Sequence, residues 1–240
     1  HLGGVGIGDK RWSKKRKAAI RDSRVNSSQL LSKTLANLDN KPDLFMLASA
    51  IGFYGNRGDE ELDESSSRGK QGYFLTDVCS EWENSAAPAK EVGIRTISLR
   101  TGIVISAVGG ALGKMLLPAK MGAGGPIGNG KQWMSWISMD DQIYSMYHLM
   151  MSEGTSGEYN LTAPNPVRQK QFAKTLGKVL RRPAFAPLPG FMMKIMFGEM
   201  GVRLTLDSQR VLPKNLQESG YEFVHNDLQS ALRDSLGKWR

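Results

Sequence analysis

Apolar residues Ala18, Ile20, Leu30, Leu31 and Leu35 recur among lysines and arginines over residues 12–38. The spacing predicts a long helix, with Ser13 as its N-cap behind Trp12. Pro42 interrupts the pattern, and DLFMLASAI (43–51) follows as a nearly continuous apolar run. Such a run suits a strand of a parallel sheet, whose two faces are both covered. Residues 55–70, rich in Gly, Ser and Glu, predict a loop. A helix is expected from Tyr73 to Lys90, bent or ended by Pro88. IRTISLRTGIVI (94–105) is rich in β-branched residues, lies between Gly93 and Gly109-Gly110, and predicts one strand. The glycine-rich stretch 106–131 predicts loops. WMSWISM (133–139) reads as a strand, and DDQIYSMYHLMMS (140–152) as a helix whose opening Asp140 and Asp141 complement the positive helix end. EYNLT (158–162) is strand-like, and QKQFAKTLGKVLRR (169–182) is an amphipathic helix stopped by Pro183. Short apolar helices and turns fill 187–212, and DLQSALRDSL (227–236) closes the chain as a helix. Alternating strands and helices predict an α/β fold with a parallel sheet covered on both faces, followed by a smaller lobe.

Composition narrows the function classes. The 240 residues are 40% hydrophobic, 8% aromatic and 23% charged, which fits a globular chain long enough for a sizeable core. Cys79 is the only cysteine, which excludes an internal disulfide and a Cys-only zinc site. His1, His148 and His225 are too scattered for a zinc motif, so no metal-ligating set is expected. No apolar stretch reaches the roughly 20 residues that span a bilayer, and no N-terminal signal pattern is present, so a cytoplasmic protein is expected.

The chain has 32 Lys and Arg against 23 Asp and Glu, a net charge of +9. That excess invites nucleic acid or an anionic ligand. Eight of the basic residues lie in DKRWSKKRKAAIRDSR (9–24). Its single aromatic, Trp12, and the absence of a recognised binding module make nucleic acid the weakest partner reading. The expectation is a solvated helix face with one or two phosphate-contacting members.

Two segments imitate the glycine fingerprint of dinucleotide folds, and both miss it. In GGVGIG (3–8), Asp9 takes the third glycine position after Gly4 and Gly6; in GAGGPIGNG (122–130), Pro126 blocks a helix start. No G-x-S-x-G elbow occurs. Cys79 reads as a small packed residue, and Asp140-Asp141 as a helix cap. Met192, Met193, Met196 and Met200 form an adaptable apolar stripe, suited to core or to a lobe that closes over a ligand. HLGG (1–4) reads as the end of a strand running into a glycine turn, and the chain is expected to be a fragment of a longer protein.

HLGG, ASAIGFYG (48–55), SLRTGIVI (98–105), WISMDD (136–141) and GEYNLTAPNPV (157–167) occur in the order seen in extended short-chain dehydrogenase/reductases. More narrowly, KRWSKKRKAAIRDSRV (10–25), GKMLLPAKMGAGGPIGNGKQWMSWISMDD (113–141) and SQRVLPKNLQESGYEF (208–223) resemble an atypical NAD(P)-dependent epimerase/dehydratase-like, sugar-nucleotide-epimerase-like subfamily with its own C-terminal domain. The resemblance covers nearly the whole chain, and the three blocks are specific only together. It implies a Rossmann-like NAD(P)-binding domain in residues 1–110 plus the strand–helix 134–152, and an α+β substrate lobe in 111–133 and 158–240. It also implies NADP as cofactor, with NAD as the alternative, and a small-molecule substrate, a nucleotide sugar in the first place. The family's first strand and phosphate loop precede HLGG. Position by position, Gly3, Gly4 and Val5 match the passage of the chain beside the cofactor. Arg11 matches a basic position suited to a phosphate oxygen, Ile103 and Val104 match residues bordering the nicotinamide, and Ser49 matches the active-site serine region.

The family's catalytic pair does not carry over. In Tyr-x-x-x-Lys both side chains share one helical face, and the lysine charge lowers the tyrosine pKa so that the phenol can exchange the proton accompanying hydride transfer. Here Tyr54, Tyr73, Tyr144, Tyr147, Tyr159 and Tyr221 are followed four residues later by Gly58, Asp77, His148, Met151, Ala163 and His225. Tyr73 opens the right helix, but Asp77 puts a negative charge where the pair has a positive one. Register on FLTDVCSEWE (74–83) sets Leu75 and Cys79 at the two catalytic positions. The expectation is an NADP-binding, epimerase- or oxidoreductase-like protein with atypical chemistry; a dinucleotide-binding regulator without turnover comes second, and a basic nucleic-acid binder third.

Overall fold

In a computed structural model, residues 1–238 are described. Helix α1 (Lys14–Ala36) opens on Ser13, whose hydroxyl accepts from the Arg16 amide as the sequence predicts. Its buried face differs from the predicted one. Ala18, Leu30 and Leu31 are exposed, while Ile20, Ser28 and Ser32 are buried. The serines are buried because they have partners: Ser28 accepts from the Trp82 indole at 2.9 Å, and Ser32 from the Ala89 amide at 3.0 Å.

Strand β1 (Leu44–Ala50) runs into a 3₁₀ turn (Ile51–Tyr54), and β2 (Glu61–Leu62) lies within the expected loop. Helices α2 (Phe74–Asn84) and α3 (Ala87–Glu91) replace the single helix expected over 73–90. Pro88 ends nothing; it sits in the first turn of α3, where its missing N–H is no loss. The strand expected over 94–105 divides into β3 (Arg95–Thr101) and β4 (Ile103–Ile105). Gly102 is the reason. Its amide donates to Leu161 while that of Ile103 donates to Ser135, so the chain changes neighbours there. A Cβ at Gly102 would stand 2.6 Å from the Ser135 carbonyl oxygen. The glycine-rich stretch holds a helix, α4 (Gly110–Lys120), because Leu112, Leu116 and Ala119 share one buried face.

There follow β5 (Trp133–Met134), β6 (Trp136–Ser138), α5 (Met139–Met151), β7 (Gly157–Leu161), β8 (Val167–Arg168) and α6 (Gln169–Leu180). The last elements are α7 (Gly190–Thr205), kinked at Gly198, then β9 (Arg210–Val211), α8 (Lys214–Glu218) and α9 (Leu228–Ser235). No described helix is long and apolar enough to cross a membrane.

The central sheet is parallel in the order β1-β3-β7. Residues 157–161 therefore belong to it and not to the lobe expected over 158–240. On the free edge of β1, the His1 amine donates to the Met46 carbonyl and the Ala48 amide donates to the His1 carbonyl, a parallel pairing. One face packs Phe45 and Leu47 beneath Trp82, Ala86 and Ala89. The other packs Ile97, Leu99 and Leu161 with Leu149 and Leu216. A second core joins Leu112, Trp136, Phe172 and Leu232.

Asp141 ties these cores together. Ser138, not an aspartate, caps α5. The wholly buried Asp141 carboxylate accepts from Ser138 Oγ, from the Tyr221 hydroxyl at 2.9 Å, and from the amides of Val224 at 2.7 Å and His225 at 3.0 Å. Burial and this carboxylate push the Tyr221 phenol well above its usual range, so it remains a donor. Asp141→Ala strands these donors and is expected to lower stability by about 3–5 kcal/mol, read from urea unfolding. A loss below about 1 kcal/mol would show that the tie is dispensable.

Candidate active site at the C-terminal edge of the sheet

Open parallel sheets bind ligands beyond the carboxyl ends of their strands. Three backbone passages meet at that edge here: the turn after His1, the turn after β1, and Gly102–Val104 after β3. Leu2, Gly3 and Gly4 are exposed, and Val5 is half-buried. The turn rests on α1, where the Val5 amide donates to Ser23 Oγ at 3.1 Å and its carbonyl accepts from Arg24 at 3.1 Å. Burial lowers the Arg24 pKa, and its guanidinium lies 5.2 Å from the centre of the Trp82 ring. Ile103 and Val104 are half-buried in β4, in register with Trp136 and Ile137.

Ser49 faces away from that edge. It stands in register with Arg100, and Arg100 with Asn160, so the three form a polar row across the sheet on its α2 side. Ser49 Oγ donates to Glu83 Oε1 at 2.6 Å, and Arg100 donates to both Glu83 oxygens at 2.9 Å. Arg100 also donates to the Tyr54 hydroxyl at 3.0 Å, which donates to Asn160 Oδ1 at 2.8 Å. The Arg100 and Glu83 side chains are only 5% and 9% exposed. Burial opposes the Arg100 charge, but the paired Glu83 carboxylate more than offsets it and holds the guanidinium above its usual pKa. Burial pushes the Tyr54 phenol up to about 12, against the pull of Arg100. Ser49 thus serves the ion pair that holds α2 on the sheet. Sequence reasoning missed Glu83, Arg100, Tyr54 and Asn160. The signal was there in Arg100, a full charge inside a β-branched strand.

Tyr73 precedes α2, with the Arg203 guanidinium 4.3 Å from its ring centre. The Asp77 carboxylate accepts from the Gly72 amide at 3.0 Å and lies 3.6 Å from Arg68. Leu75 and Cys79 pack on the turn after β1, 3.3 and 3.5 Å from where a Cβ on Gly52 would stand. Cys79 is buried, and burial pushes its thiol up to about 12.

Arg11 is exposed and donates to the Ile195 carbonyl on α7 at 3.1 Å. Lys17 pairs with Glu199 at 2.6 Å, Arg16 lies 3.6 Å from Asp9, and Arg21 bonds Asp22 at 3.0 Å. With Arg24, five of the eight basic residues of 9–24 are thus engaged within the molecule. The segment 122–130 is a packed loop, in which the Gly128 amide donates to the Leu188 carbonyl at 2.8 Å. A dinucleotide fits the edge itself. Gly3 and Gly4 leave exposed backbone beside the strand ends, flanked by the His1 ring and the Arg24 guanidinium, and Ile103 and Val104 offer half-buried apolar contact.

Glu83→Gln leaves Arg100 buried without a counter-charge and is expected to lower stability by about 3–5 kcal/mol, whereas Ser49→Ala costs about 1 kcal/mol. Equal losses in the two variants would contradict this assignment. A thiol held near 12 is also inert: at pH 8, labelling of native Cys79 by a disulfide reagent is expected on the order of 10³-fold slower than in denatured protein. Comparable rates would show an accessible thiolate.

The sequence profile of the NAD dependent epimerase/dehydratase family matches residues 1–162, and a domain of unknown function (DUF1731) matches residues 188–235. An epimerase family protein of Mycobacterium tuberculosis is 37% identical over 232 residues, covering 97% of this chain and 76% of the relative. The crystal structure of human epimerase family protein SDR39U1 (isoform 2) with NADPH has a TM-score of 0.93 at 30% identity, covering 98% of this chain and 81% of the human one. A nucleoside-diphosphate sugar epimerase from Corynebacterium glutamicum has a TM-score of 0.75 at 33% identity, covering 94% of this chain and 44% of that one. The parallel sheet, the order of its strands and these likenesses agree: this chain belongs to the NAD dependent epimerase/dehydratase family.

Proposed function

We propose that this chain is an NADP-binding, epimerase-like protein that holds its cofactor along the C-terminal edge of the sheet and takes a nucleotide sugar as substrate. The observation that carries the reading is the exposed Gly3–Gly4 turn, which leaves a parallel-paired residue beside the end of β1. Gly3, Gly4 and Val5 line one side of the cofactor and Ile103 and Val104 the other. Arg11, exposed at the end of the turn, reaches a phosphate oxygen with the donors that Ile195 does not occupy. Residues 1–110 with 134–152, joined by β7, form the cofactor domain; 111–133 and the segment after β7 form the substrate lobe. The human relative solved with NADPH supports the cofactor, and the nucleoside-diphosphate sugar epimerase supports the substrate class.

When bound, the nicotinamide supplies hydride transfer. The residues at the positions of the family's proton-exchanging pair do not match that task. Leu75 has no proton to exchange, and Cys79 keeps its own because burial holds the thiol near 12. Ser49 is bonded to Glu83 behind the strand, so it acts as a positioning residue for α2. Tyr73, at the mouth of α2, is the remaining phenol for the role. The enclosed Cys79 favours a second reading, in which the protein binds the dinucleotide and senses it without turnover.

Melting in the presence of NADPH tests the first step. At about 100 times Kd, the expected gain of about 2.7 kcal/mol corresponds to a Tm rise of about 5–10 °C. No rise with NADPH or NADH overturns both readings. Oxidation of NADPH with a nucleotide sugar or a carbonyl compound selects the enzyme, and Tyr73→Phe then lowers kcat. Binding without turnover selects the sensor.

A further inference from the structure

His225 is buried in the segment that leads into α9, with its side chain 9% exposed, and its Nε2 has no hydrogen-bond partner. A buried, unsatisfied ring nitrogen is costly unless something outside the protein occupies it. The contacts around the ring favour one tautomer. Nδ1 lies 3.4 Å from Ser230 Oγ, and that hydroxyl directs its own proton to the Asp227 carbonyl at 2.8 Å. Ser230 therefore accepts, Nδ1 carries the proton, and Nε2 presents its lone pair. That lone pair faces two carboxylate oxygens, Asp140 Oδ2 and Asp234 Oδ2, each at 3.8 Å. Three electron-rich atoms from three parts of the chain converge within 4.8 Å of one another. Neither carboxylate is within hydrogen-bonding distance of Nε2.

We propose that Asp140, His225 and Asp234 form a divalent-cation site, of the kind that takes Zn²⁺ or Mn²⁺, which clamps α9 to the first turn of α5. Two carboxylates balance the charge of the ion, and an imidazole with two carboxylates suits these ions better than soft metals, which prefer thiolates. Ligands about 2.0–2.2 Å from one tetrahedral ion stand roughly 3.3–3.6 Å apart, so the two 3.8 Å separations close with small rotations of the aspartate side chains and the carboxylates move toward each other. Ser230 supplies the outer contact that fixes the tautomer and orientation of a ligating histidine. The neighbouring Asp141 holds the His225 amide at 3.0 Å, so the backbone of the ligand is placed before any ion arrives. Asp140 and Asp234 are 44% and 29% exposed, which leaves an entry path and room for water in the remaining coordination positions.

Calorimetric titration of EDTA-treated protein with ZnCl₂ and with MnCl₂, followed by melting, tests the proposal. The expected result is one saturable site per chain for at least one of the ions and a Tm that rises with its concentration. Asp234→Asn, on the partly exposed surface, leaves folding intact and is expected to weaken binding at least tenfold, as is Asp140→Asn. His225→Gln abolishes the Tm rise, while His148→Ala and His1→Ala leave binding unchanged. The proposal is overturned if neither ion binds below roughly 1 mM, a weak-affinity threshold. It is equally overturned if the Asp140→Asn, Asp234→Asn double variant binds as tightly as the parent. None of these readouts depends on NADPH, so they stand or fall apart from the proposed cofactor function.

Discussion

Arg100 brings a full positive charge into the interior of a parallel sheet, and the edge proposed to hold the cofactor is built around keeping it there. A lone guanidinium at that depth would cost several kcal/mol. Glu83 accepts both arms of its fork, Tyr54 takes a third donor, and the Phe53 ring lies 3.6 Å from its carbon. The partners come from two elements, Glu83 from α2 and Phe53 and Tyr54 from the turn after β1, and Tyr54 in turn donates to Asn160 of β7. The charge therefore sets where α2 and the turn sit relative to the strand ends. A buried pair of this kind is weak evidence for stability, because an apolar replacement can be as stable. Its consequence here is geometric, since sliding α2 along the sheet would separate Glu83 from Arg100.

The same row of side chains marks how far the sequence can be read. That β1 and β3 are strands follows from their apolar runs, and the residues obey it. Which face Ser49 occupies does not follow, because a shift of one residue turns every side chain to the other side. Ser49 stands next to the end of β1, and its hydroxyl lies behind the sheet on Glu83. Helix α1 shows a related limit. Its cap and length were legible, but its buried face was not, since Ser28 and Ser32 are buried through specific bonds to Trp82 and Ala89 that no hydrophobicity pattern records. Gly102 was hidden by its neighbours: a glycine among β-branched residues looks like strand until a second strand is there to receive the chain. Asp140, His225 and Asp234 are remote in sequence and share no motif spacing, so only folding brings them together.

The net charge of +9 also changes meaning once the contacts are known. Arg11 and Lys17 reach α7, Arg21 lies beside Asp22, and Arg24 supports the glycine turn. A run that suggested a nucleic-acid surface is largely committed to internal partners. These contacts also differ in strength from the buried row. The pair between Lys17 and Glu199 is 30% and 44% exposed, and exposed pairs contribute about 0–1 kcal/mol each. Helix α7 is thus tied to α1 by water-facing bonds, is anchored by the buried Met193 and Met200, and is broken at Gly198, where φ is 63°. Helix α2, by contrast, is held by its buried ion pair with Arg100. Charge therefore adds little to the hold of α1 on α7, whereas on α2 it decides where the helix sits against the strands.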